Sequence, residues 1–127
     1  MTKIKVFHTR NTEEVNPFQF SGVQMLSTMG VALPSKSDLK RYYVEVLSLE
    51  VTDLEVEPKQ LCENIFHQIN AGIGCFQHMV SQSYIAKMGT HTSTSVGDII
   101  QVNDIFYYVD YIGFEPFKME ELNYSNP

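Results

Sequence analysis

Tryptophan is absent, cysteine occurs only twice, and no apolar run approaches the roughly 18 residues that a membrane-spanning helix needs. That last absence argues against a membrane partner. Residues 1–8 alternate like a strand and lack the continuous apolar stretch of a secretory signal. Cys62 and Cys75 form no Cys-x-x-Cys pair. They read as two reduced thiols acting as small hydrophobes, and the expected location is the cytoplasm, that of the host cell if the chain is phage-encoded.

Basic charge is the other scarcity. Nine Lys and Arg face 15 Asp and Glu, for a formal net charge of -6. The imbalance is local: residues 60–127 hold Lys87 and Lys118 against Glu63, Asp98, Asp104, Asp110, Glu115, Glu120 and Glu121. Binding to phosphate chains relies on clustered Lys and Arg. The one basic group, Lys36, Lys40 and Arg41 beside Asp38, reads as a solvated loop. Nucleic acid is therefore unsupported by charge. The acidic half reads first as keeping the protein soluble; facing a basic protein surface, or competing with DNA for one, is the other reading.

What the chain does have is aromatic mass, 8 Phe and 7 Tyr in 127 residues, enough to stabilise one core. Alternation predicts a strand over 3–8. A polar loop over 11–17 ends in Asn-Pro, a turn signal. Val23, Leu26 and Met29 at three-residue spacing predict a helix, with Ser21 as its cap and Gly30 as its stop. A loop follows over 32–38. The run over 41–52 reads as a strand, apolar on both faces and so interior or covered by a helix. Pro58 opens a helix over 58–70 with Leu61, Ile65 and Ile69 on one stripe. A short helix is expected over 76–88. A hairpin then pairs 99–102 with 105–112 through Asn103-Asp104. The expected fold is a single α+β domain over 1–117. It has a mostly antiparallel sheet with a C-terminal β-hairpin and two or three helices packed on one face, followed by a polar tail over 118–127.

Few residues form a chemical constellation. Cys62, His67, Cys75 and His78 have the residue types of a zinc site, but positions 62 and 67 lie about 500° apart around a helix and diverge. Cys75 behind Gly72-Ile73-Gly74, with His78 one turn on, has the types of a thiol nucleophile and its base, with no further signature. No metal, cofactor or catalytic residue is assigned. The most unusual stretch is His91-Thr92-Ser93-Thr94-Ser95, ahead of Asp98. Such hydroxyls satisfy loop backbone groups, or contact a ligand. Tyr107, Tyr108 and Tyr111 read as cross-strand packing, with a base-stacking platform as the competing reading. The candidate binding residues are thus His91, Thr92, Ser93, Thr94, Ser95, Asp98, Asp104, Tyr107 and Asp110.

Three ordered motifs carry a family resemblance. The stretch Leu61-Cys62-Glu63-Asn64-Ile65-Phe66-His67-Gln68-Ile69-Asn70 resembles the LE-x-IF-x-x-x-N helix of YodL-like domains. His91 to Ile100 resembles their H-S-x-S-V-x-D-V-V turn and strand, and Tyr108 to Glu115 their YYVDSFGF close. The likeness covers residues 61–117 and leaves 1–60 without a counterpart. It implies a small accessory protein of bacteriophages, plasmids and conjugative elements, with an anti-defence or host-takeover role. A non-enzymatic protein that contacts a host protein is the expectation. A nucleotide or nucleic-acid module using the 91–95 turn and the tyrosine strand is the alternative.

Overall fold

The alternation of Ile4 and Val6 with Lys3 and Lys5 organises a sheet around the first strand. The computed structural model describes residues 2–51, 57–71 and 94–119. Among them, β1 (Thr2–Thr9), β2 (Tyr43–Val51), β3 (Ile99–Val102), β4 (Ile105–Val109) and β5 (Phe114–Phe117) form one sheet. Its order is β2-β1-β3-β4-β5, with every neighbouring pair antiparallel. The helices are α1 (Val23–Thr28), α2 (Lys36–Tyr42) and α3 (Pro58–Ala71). The α+β class, the antiparallel sheet and the C-terminal hairpin are as expected.

The helices differ from expectation in placement: they divide between the two faces of the sheet. On one side α3 presents Leu61, Cys62, Ile65 and Ile69 to Ile4, Val6, Ile100, Val102, Tyr107 and Val109. Each such side chain contributes roughly 1.5–3 kcal/mol on burial. On the other side Leu26 of α1 and Phe18 pack on Phe7, Tyr43, Ile99 and Tyr108. Strand alternation makes this possible, because Ile99 and Ile100, or Tyr107 and Tyr108, face opposite ways.

Strand β2 explains its own two-sided pattern. The register passes from Val6↔Leu47 to Phe7↔Glu45, so Val46 is an extra residue, a β-bulge. Val46 and Leu47 consequently both enter the core. Within the described sheet β2 is an edge strand, not an interior one.

Two further elements depart from the sequence expectation. Residues 36–42, expected as loop and early strand, are helix α2. Its start is a capping box in which Ser35 and Asp38 satisfy each other's backbone N–H groups. The return strand expected to reach 112 ends at Val109, and the chain turns at Gly113 (φ 76) into β5. Helix α1 stops as expected. Gly30 takes φ 73, its N–H reaches Ser27 O, and Val31 N–H reaches Leu26 O at 2.8 Å, a Schellman closure. Its start is capped not by Ser21 but by Asp110, whose Oδ1 accepts from Val23 N–H at 3.1 Å. The helix expected over 76–88 and the tail from 120 lie outside the described residues.

Gly97 sits where nothing else fits. Its φ is +97, and a Cβ would lie 2.0 Å from the Phe18 carbonyl oxygen. Gly30 shares the left-handed φ but has open space around it. Gly30→Ala is therefore expected to cost about 1 kcal/mol and Gly97→Ala at least about 2 kcal/mol more, read from urea unfolding midpoints. Equal losses would refute the steric account of Gly97.

Candidate functional site

Among the described residues one histidine and one acid, His8 and Asp98, are buried side by side. Asp98 is 2% exposed; its Oδ1 accepts from Thr9 N–H and its Oδ2 from Ser95 N–H, each at 2.8 Å. His8, equally buried, places Nε2 2.8 Å from Thr94 Oγ1 and 3.8 Å from Asp98 Oδ2. Thr94 in turn bonds through its backbone to Asn70: its N–H donates to Asn70 Oδ1 at 2.7 Å, and its carbonyl accepts from Nδ2 at 3.0 Å. Asn70 thereby mimics one rung of a strand ladder and fastens the end of α3 to the turn that leads into β3.

Thr94, His8 and Asp98 carry the residue types of a hydroxyl–imidazole–carboxylate triad, but the geometry is not one. Both the hydroxyl and the carboxylate address the same nitrogen, Nε2, whereas a triad uses opposite ring nitrogens. All three side chains are buried. The cluster holds backbone in place.

Burial pushes the Asp98 carboxyl up to about 7, against the two backbone N–H bonds that lower it. Burial likewise pushes the His8 imidazole down to about 4. A separation of 3.8 Å would by itself favour an ion pair. Desolvation of both partners opposes it, and the neutral pair lets the Thr94 hydroxyl donate to an unprotonated Nε2.

The other candidates are dispersed. Asp104 lies exposed on the hairpin turn beside Asn103, whose φ of 54 the turn requires. Asp110 Oδ1, besides capping α1, accepts from Tyr111 N–H at 2.8 Å. Asp98, Asp104 and Asp110 do not form one exposed acidic surface. Tyr107 is buried on the α3 face. Tyr108 is buried on the opposite face, its hydroxyl donating to Ser21 O at 2.6 Å. With Tyr111 outside, the three rings share no platform. Ser95 is held in the turn by Asp98. His91, Thr92 and Ser93, like Cys75 and His78, lie outside the described residues. Cys62 is core, its thiol pushed up to about 12 by burial, while His67 is exposed, so these two diverge as expected. Among the described residues no cluster of three or more His, Cys, Asp or Glu is arranged to hold a metal, and no helix is long and apolar enough to cross a membrane.

Two surface features were not legible in the sequence. One is a groove of about 1240 Å³ between α3 and the β4–β5 turn, with Phe66, Tyr107, Val109 and Phe114 among its lining and Glu57, Glu63, Lys59 and Asp110 around it. The other is an apolar ridge beside it. Tyr111 and Ile112 are 61% and 93% exposed, and Phe20 is 63% exposed. Phe20 holds φ 60, a conformation uncommon for a bulky side chain. Its N–H donates to Val96 O, and its carbonyl accepts from the Tyr111 hydroxyl, both at 3.1 Å. The positive φ at Phe20 has no sequence signature.

Comparison with known proteins yields little that is functional. No family model matches the chain, and no solved structure matches it at a significant level. The chain is 31% identical over 71 residues to the uncharacterized protein R785 of Acanthamoeba polyphaga mimivirus, a viral protein. The aligned part is 56% of this chain and 66% of that protein, so the chain spans just under two thirds of its relative's length.

The buried pair has a pH consequence. The Asp98 contribution to stability is complete below about 3.8 and is lost as pH rises through about 7. The His8 contribution is complete above about 6.5 and is lost as pH falls through about 4. The two slopes oppose each other. In Asp98→Asn the His8 slope stands alone, so the urea midpoint relative to wild type is expected to rise between those limits. A profile parallel to wild type would refute the raised Asp98 pKa.

Proposed function

We propose that this chain is a non-enzymatic accessory protein of a phage or other mobile element that acts by protein–protein contact, in an anti-defence or host-takeover role. One observation carries the reading: among the described residues the His8–Asp98 pair is buried, whereas three large apolar side chains lie exposed near one another on the surface. His8 and Asp98 are 5% and 2% exposed and bonded to their neighbours, while Phe20, Tyr111 and Ile112 stand out in water. Apolar side chains grouped on a surface mark contact sites for macromolecules.

The resemblance of residues 61–117 to YodL-like domains supplies the biological setting, and the similarity to a mimivirus protein is consistent with a viral origin. The motif residues themselves account for a fold. Asn70 closes the first motif onto Thr94 of the second, and Asp110 of the third caps α1. A motif made of such residues specifies an architecture, and function resides on what that architecture displays.

The test is affinity capture from host-cell extract with wild type and with Phe20→Asp/Ile112→Asp, both checked for folding by circular dichroism. Wild type is expected to retain a defined host protein, and the variant to lose at least about tenfold of it, equivalent to about 1.4 kcal/mol. Equal retention would remove the ridge from the reading. Retention of no protein by wild type would sink the reading itself.

A further inference from the structure

We infer that the groove beside α3 receives a short segment of a partner protein carrying one large apolar side chain flanked by lysine or arginine. This deepens the protein-binding reading above and rests on it. The groove has an apolar floor. Phe66 and Phe114 meet edge to face with centroids 6.1 Å apart, and both are only partly buried. An inserted side chain would remove the remaining ring surface from water.

The rim decides the charge of the occupant. Glu57, Glu63 and Asp110 stand against Lys59. Glu63 is 54% exposed, with one carboxylate oxygen 3.8 Å from His67 Nε2. The start of α3 also opens here, where free amides favour anions. That preference is reduced, because Pro58 at the first helical position has no N–H to offer. A phosphate chain would meet like charge, whereas a basic segment meets complementary charge. At about 1240 Å³ the groove also exceeds the roughly 300–1,000 Å³ of small-ligand pockets and suits a length of chain.

The probe is a random dodecapeptide display library selected against the full chain. The expected peptides carry an aromatic or long aliphatic residue and net positive charge, and their binding weakens with ionic strength. Glu57→Lys/Glu63→Lys is expected to weaken them at least about tenfold. Glu13→Lys/Asp104→Lys, the same charge change away from the groove, is expected to leave them unaffected. No enrichment, enrichment of acidic or uncharged peptides, or equal binding by the groove variant overturns the inference. In those cases the capture experiment above still decides the broader reading on its own.

Discussion

The hydrogen-bonded Asp98 carboxyl group is the interaction on which the described architecture turns. One oxygen holds the last residue of β1 through Thr9 N–H, and the other holds the turn at Ser95. The end of β1 and the entry to β3 are thereby fixed to a single buried group. An acid so placed is costly to desolvate, and its backbone N–H partners offset that cost. Around it, Tyr43 donates its hydroxyl to Gly97 O at 2.6 Å, and Gly97 admits the Phe18 carbonyl where any side chain would collide. Each contact requires the others. A turn of four residues thus registers β1, the 16–22 loop and the C-terminal hairpin against one another.

The sequence disclosed elements whose cause is local. Leu61, Ile65 and Ile69 announce α3, Gly30 announces the end of α1, and Asn103-Asp104 announces the hairpin. One local signal was passed over, and elements whose cause is non-local stayed hidden. Helix α2 rests on a short capping box within a segment of turn-forming residues, and its Ser35-x-x-Asp38 spacing was the available signal. The placement of helices on both faces follows from pairing Ile99 and Ile100 with different neighbours. So does the double burial at the β2 bulge, which depends on where β1 shifts register.

The candidate site shows the same division more sharply. Asp98, Thr94 and Ser95 were marked by their unusual company, and the structure accounts for that company as internal bonding. The Thr94 hydroxyl bonds the His8 ring, and Ser95 is held by Asp98 through its own backbone N–H. Tyr107 and Tyr108 read as packing residues, and their burial on opposite faces is what strand alternation gives. Conversely, Phe66, Phe114 and Tyr111 come from distant elements, and no spacing rule links positions 66 and 114. Residue type foretold which positions were special. It did not foretell whether they faced water.

The Phe20 turn has a kinetic corollary. A bulky residue in left-handed backbone stores about 1–2 kcal/mol. It persists here because Val96 and Tyr111 grip its amide and carbonyl. The same grip orients the Tyr111 ring relative to the Phe20 backbone before any encounter. A surface already in its bound shape gives up little conformational freedom on association. Recognition at such a place resembles the meeting of two rigid bodies more than the folding of a loop around a visitor.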